Sequence, residues 1–187
     1  MEKTLERTAS AGRTRLLVTA ALFAALGCVS TMVIKVPSPT GGYMNLGDAA
    51  VLLGACFLGP GYGALAGGVG PALADLLGGY PMYVPGTLVI KAVMALTAGL
   101  LYRSLRDRPW GPAVCGAAGE VPMVLGYWLY DALLVSVGGT AFGTALAGAA
   151  AGIPSNLVQA AFGAAASTLL LAALRRSGYV RRGFPNL

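Results

Sequence analysis

Histidine is absent from all 187 residues, which removes the commonest general base at neutral pH and the commonest metal ligand. Charge is scarce: Asp, Glu, Lys and Arg make up 11% of the chain, against about 25% in a soluble domain whose surface must be solvated. Cysteine is limited to Cys28, Cys56 and Cys115. Each lies inside an apolar run, too scattered for a metal motif or a disulfide framework, so all three read as packing residues. The dipeptide Gly-Lys does not occur, so there is no Walker-type phosphate loop and the chain cannot hydrolyse ATP alone. No inverted pair of interrupted helices with an ion path is evident either, so a self-sufficient secondary transporter is not signalled. What is abundant is apolar. The chain is 56% hydrophobic with 28 glycines and a mean hydropathy of +0.71, the composition of an integral membrane protein.

The formal net charge of +6 does not point to nucleic acid, because the basic residues are clustered where a membrane protein needs them. Lys3, Arg7, Arg13 and Arg15 precede the first apolar run, Arg103, Arg106 and Arg108 share a short loop, and Arg175, Arg176, Arg181 and Arg182 make the tail. Crossing a hydrocarbon core takes about 20 apolar residues as a helix. Six candidates lie at roughly 15–36, 46–59, 61–79, 86–103, 110–137 and 150–174, separated by glycine- and proline-rich turns. With six spans the termini and the arginine loop fall on one side, and three connections without Lys or Arg fall on the other, as the positive-inside rule requires. A removable signal peptide is the competing reading of the first span, but its loss would spoil that pattern. The expectation is an all-α membrane protein with six transmembrane helices and cytoplasmic termini. Residues 1–14 would be a cytoplasmic segment, 15–174 the bundle, and 175–187 a cytoplasmic basic tail.

Small residues four apart mark close helix approach: Ala20 with Ala24, Ala21 with Ala25, Gly59, Gly63 and Gly67, and Ala161 with Ala165. The glycines read as packing within the bundle. The alanine face of the first helix is open to a partner, being on a terminal helix.

An ionisable group inside a membrane is costly and therefore a functional-site candidate. Five qualify: Asp48, Asp75, Lys91, Glu120 and Asp131. All but Glu120 lie within roughly 5 to 10 Å of the external end of their spans at 1.5 Å per residue. Asn45, Ser155, Asn156 and Gln159 follow the same trend. The inner half is nearly featureless, which describes a cup that opens outward and is sealed beneath, and a channel would need polar groups along its whole length. Glu120, Met123, Tyr127 and Asp131 share one helical face. Trp128 and Tyr130 flank it, either as an interfacial aromatic belt or as ligand-stacking groups. Asn156 and Gln159, three apart, can address one ligand. Four carboxylates facing Lys91, with Lys35 at the rim, suggest a donor-rich or weakly basic ligand, unless protonation or internal pairing cancels the charge. The substrate-binding set is therefore Asn45, Asp48, Glu120, Tyr127, Trp128, Asp131, Asn156 and Gln159, a few polar groups in an aromatic pocket.

The runs "YMNLGDAAVLLGACFLGPGYGALAGGVGPALADLLGGY", "PGTLVIKA", "GYWLYDALL" and "AGIPSNLVQAAFG" together resemble the substrate-binding S component of energy-coupling factor (ECF) vitamin transporters. The resemblance is to the branch with riboflavin, hydroxymethylpyrimidine and pyridoxine-type members, over roughly 17–174. It implies a six-helix protein, not an enzyme, with no cofactor or metal of its own, in a prokaryotic cell membrane. Such a protein captures a vitamin from outside and docks on a transmembrane T component with two cytoplasmic ATPases. The resemblance implies that Ala20, Ala21, Ala24 and Ala25 face the T component, and that the loop from Lys35 to Asn45, with Tyr43, is a lid. It points to Glu120, Tyr127, Asp131 and Asn156 at the ligand. The absence of histidine and of several tryptophans argues against thiamine. A hydroxymethylpyrimidine or pyridoxine-like vitamer suits the acidic, tyrosine-containing face, and riboflavin stays open.

Two other classes are weighed. A small channel or self-sufficient carrier needs only the bilayer. A metal-dependent membrane enzyme would use Asp48, Asp75, Glu120 and Asp131 as hard oxygen ligands, but no two of them lie within ten residues of each other. Asp75 and Lys91 flank one hairpin at matching depth and are expected to form a structural ion pair, or else to belong to the ligand site.

Overall fold

A computed structural model describes residues 2–177, 180 and 184, with side chains from Gly12 onward. Arg181 and Arg182 of the expected basic tail lie outside the described residues. The element order is α1 (Glu2–Val33), β1 (Lys35–Pro37), β2 (Tyr43–Asn45), α2 (Asp48–Leu77), α3 (Val84–Leu105), α4 (Gly111–Val137), α5 (Phe142–Ala149), a short 3₁₀ turn (Ala150–Gly152) and α6 (Ile153–Arg175). Five helices are long and apolar enough to cross a membrane, with α5 to α6 taken as one.

The second of these is two arms rather than one rod. At Gly59 the backbone turns to φ 75°, ψ 178°, a conformation glycine reaches without a Cβ penalty. Pro60 then opens the second arm, where its missing amide costs nothing. The chain doubles back on itself. A Cβ on Gly63 would stand 2.7 Å from the Ala55 Cα, and one on Gly67 would stand 2.9 Å from Val51 Cγ1, so the arms run antiparallel in direct backbone contact. The segments expected at 46–59 and 61–79 correspond to these arms. The first, residues 48–58, rises only about 16 Å at 1.5 Å per residue, roughly half of a hydrocarbon core about 30 Å thick.

Between α1 and α2 the sequence suggests only turn chemistry, yet a two-stranded hairpin forms. Lys35 pairs with Asn45, Val36 with Met44 and Pro37 with Tyr43, antiparallel. Gly41 at φ 92° makes the turn, closed by Ser38 N–H donating to Gly42 O at 2.9 Å. Helix α5 is likewise unforeseen. It packs on α4 through Ala132, Ala145 and Ala149, with Trp128 and Leu146 at the edge.

The burial pattern is inverted relative to a soluble protein. Leucines such as Leu22, Leu65 and Leu169 face outward from the bundle, while Lys91 is 0% and Asp48 1% exposed. Two apolar clusters fill the interior. Val51, Leu52, Met94 and Met123 lie toward the hairpin end, and Leu53, Phe57, Tyr102 and Leu171 lie toward the other. At that far end Arg175 donates to Tyr102 Oη and to Arg106 O at 2.8 Å, tying α6 to α3.

Helix α1 corrects the expectation for its alanines. Ala20 is buried, and Ala24 packs beside the same core cluster, its carbonyl directly over Gly70, where no Cβ could fit. Ala20 and Ala24 therefore hold α1 against the second arm of α2. Ala21 and Ala25 are exposed and remain open to a partner.

Candidate functional site

Five elements meet around a partly open cavity at the hairpin end. The hairpin contributes Ser38, Thr40, Gly42, Tyr43 and Asn45, and α2 ends beside it at Asp75. Tyr83 and Thr87 come from the start of α3, Tyr127 and Asp131 from α4, and Asn156 and Gln159 from α6.

The helical repeat explains the walls. Tyr83, Thr87 and Lys91 are four apart and so share one face at the start of α3. On α4, Glu120, Met123 and Asp131 are all buried, with Tyr127 among them on the face expected from the sequence. Across the cavity the Thr87 and Tyr127 hydroxyls are 3.0 Å apart. Tyr83 Oη donates to Asp131 Oδ1 at 3.0 Å. The hairpin is tied down by Tyr43 Oη donating to Asp75 Oδ1. Burial first, then the Asp75 carboxylate, push the Tyr43 phenol well above its ordinary range. Burial and Asp131 do the same to Tyr83, so both remain donors in neutral solution.

Beneath the cavity lies a polar floor. Lys91 forms a salt bridge with Asp48, and its ammonium is 5.4 Å from the centre of the Tyr127 ring. Gln159 Nε2 donates to Asp48 Oδ2 at 2.8 Å, while its Oε1 accepts the Asn45 N–H at 2.7 Å. Asn45 Oδ1 in turn accepts the Gly47 N–H at 2.9 Å. One chain of bonds thus runs from α3 through the start of α2 and α6 to β2. Glu120 sits next to it, 3% exposed, with neither carboxyl oxygen hydrogen-bonded. It occupies the space left by Gly163, where a Cβ would also stand 2.7 Å from the Asp48 Cβ.

The sequence-predicted residues divide accordingly. Asn45, Tyr127, Asp131, Asn156, Gln159, Tyr43 and Asp75 line the cavity. Asp48, Lys91 and Glu120 lie under it. Lys35 does not line it; its ammonium stands 4.7 Å from the Tyr43 ring centre and 5.3 Å from that of Tyr80. Two expectations are corrected. Trp128 is turned away from the cavity, donating to Leu146 O at 3.0 Å, because the residue after Tyr127 is rotated by about 100° around the helix. The expected Asp75–Lys91 pair is replaced by Asp48–Lys91, because the fold-back at Gly59 brings the start of α2 against α3. Ser38, Thr40, Tyr83 and Thr87 were missed, although the spacing of Tyr83, Thr87 and Lys91 was a usable signal. Among the described residues no group of three His, Cys, Asp or Glu side chains is placed to hold a metal.

The chemistry of the lining suits a flat, partly polar molecule: three tyrosines for its faces, and carboxylate, amide and hydroxyl groups for its edges. The profile of the family described as "ECF-type riboflavin transporter, S component" matches residues 12–176. A Pyrococcus woesei protein, described as "Uncharacterized protein in gap 3'region", is 38% identical over 137 residues, covering 72% of this chain and 84% of that protein.

Proposed function

Because the chain belongs to the ECF-type riboflavin transporter S component family, we propose that its hairpin-end cavity captures a hydroxylated heteroaromatic vitamin from outside the cell. The family makes the protein a multi-pass subunit of the cell membrane that binds substrate for vitamin transport, not an enzyme. Riboflavin is the first candidate, named in the family's own description, followed by pyridoxine-like vitamers and hydroxymethylpyrimidine. The observation that supports the reading is a tyrosine-lined cavity over a floor sealed by a buried ion pair. That is a cup with one open end.

The proposal takes the two arms of α2 as separate membrane elements, giving six, and places both termini and the Arg103 to Arg108 loop in the cytoplasm with the basic tail. The hairpin then lies outside as a lid. Energy comes from a T component and two ATPases, and the exposed Ala21 and Ala25 side of α1 is the surface offered to the T component. Thermal-shift screening and native mass spectrometry of the purified chain against a vitamin panel test the reading. One of these vitamins should stabilise the protein and co-purify at a 1:1 ratio. Folded protein that binds none of them refutes it. A self-sufficient carrier would instead move solute through many turnovers in liposomes without any ATPase.

A further inference from the structure

The cavity has an uneven polarity that goes beyond its aromatic shape. Neither Lys nor Arg is among the residues that line it, whereas Asp75 and Asp131 both are. The two nearby lysines are committed elsewhere. Lys91 is bound to Asp48 beneath the floor, and Lys35 stands against the Tyr43 and Tyr80 rings. Asp75 has one oxygen occupied by Tyr43, and its Oδ2 is buried without a hydrogen-bond partner. Such an oxygen asks for a donor.

Phosphate would bring about −1.5 to −2 charges at neutral pH and only acceptor oxygens. Sites that hold it supply guanidinium, ammonium or a helix N-terminus. Of the helices that begin at this end, α3 and α6 each carry a proline at the first or second position, which removes an amide donor from the turn that would meet an anion, and α2 carries Asp48 in its first turn, which repels one.

We propose that Asp75 and Asp131 act as a charge filter, so that the cavity accepts an uncharged, hydroxyl- or amino-bearing vitamin and turns away its phosphate ester. This rests on the vitamin-capture reading above and adds the specificity determinants of the same site. Asp75 Oδ2 takes a hydroxyl or amino hydrogen from the ligand. Asn156, which lines the cavity, serves either a donor or an acceptor.

Matched pairs test it on the full-length purified chain: riboflavin and its 5'-phosphate, pyridoxine and its 5'-phosphate, hydroxymethylpyrimidine and its monophosphate. In the pair whose parent binds, the ester should bind about 100-fold more weakly or worse, because like charges meet with no cation in the lining. Asp75→Asn and Asp131→Asn should each narrow that gap by about tenfold, with folding followed by thermal unfolding. Asn156→Lys places a cation in the lining and should raise ester affinity even if neither Asp variant folds. An ester that binds wild-type protein within about threefold of its parent overturns the filter while leaving vitamin capture standing. So does a gap that survives in every folded variant. Failure of all three parents to bind folded protein overturns both.

Discussion

Replacing Lys91 with methionine tests the buried floor most directly. Lys91 is wholly buried and Asp48 is 1% exposed, and Glu120 lies beside them with no hydrogen bond of its own. Removing the ammonium leaves Asp48 without its counter-charge in a bundle interior, and breaking one side of a buried pair costs about 3 to 5 kcal/mol. For a chain of this size that corresponds to a fall in melting temperature on the order of 10 °C, read by tryptophan fluorescence or light scattering in detergent. A double-mutant cycle assigns the loss. Lys91→Met with Asp48→Asn should be less damaging than the sum of the singles, with a coupling of about 2 kcal/mol. The same cycle with Asp75→Asn should couple by less than about 0.5 kcal/mol, because Asp75 is held by Tyr43. A stable Lys91→Met protein, or stronger coupling to Asp75 than to Asp48, would refute the assignment.

The lid should be weaker than the floor. Tyr43→Phe removes one hydrogen bond to a carboxylate, worth about 1.5 to 3 kcal/mol, and is expected to speed release of the bound vitamin in stopped-flow fluorescence with a fall in melting temperature smaller than that of Lys91→Met. Trp128→Phe loses the bond to Leu146 O, so stability should drop by about 1 kcal/mol with vitamin affinity unaltered in titration calorimetry. Glu120→Gln removes a buried carboxyl that makes no hydrogen bond and lies beside the carboxylate of Asp48, and should leave the denaturation midpoint level or raised. Ala25→Trp, on the exposed side of α1, is expected to weaken pull-down by the T component while sparing vitamin binding. Ala20→Trp, by contrast, should overpack α1 against the core and lower yield and stability together, by about 1 to 3 kcal/mol.

Much of this was legible because membrane burial leaves strong marks in composition. The break between residues 59 and 61 was legible, since glycine lets the chain turn and proline restarts a helix. The face carrying Glu120, Met123, Tyr127 and Asp131 followed from helical spacing alone. Position across the bundle was harder. The sequence pairs Asp75 with Lys91 because one turn separates their helices, but it does not show that the first arm of α2 returns to the same place from 27 residues earlier. Trp128 failed for a related reason. Periodicity puts it next to Tyr127 in sequence and about 100° away in space. Helix α5 was invisible because Phe142–Ala149 is only eight residues long and has no side-chain cap, too short for a period to mark it. The β1–β2 hairpin was hidden in a stretch read only as turns, since three-residue strands offer too little alternation.

The same placement sets the floor of the hairpin-end cavity apart from its hairpin. The floor joins α2, α3 and α6 through a salt bridge and a buried amide, and disturbing it exposes an uncompensated charge to an apolar interior. The hairpin, the proposed lid, bonds to the helices through Tyr43 to Asp75, Tyr83 to Thr40 O at 3.5 Å, and Asn45 N–H to Gln159. The first is a single bond to a carboxylate, worth about 1.5 to 3 kcal/mol, and the second is long, worth about 1 kcal/mol or less. The third links lid to floor. A variant that keeps the Lys91–Asp48 pair but cuts that link, Gln159→Leu, deprives the Asn45 N–H of its acceptor and Asp48 of one donor. If lid and floor act as one body, this should cost about as much stability as Lys91→Met. If the lid is an independent flap, the loss should stay near 1 to 2 kcal/mol, with faster vitamin release and hydrogen exchange rising in residues 35–45 but not at the start of α2. These single bonds favour the second outcome, and protection lost equally in both segments would refute it.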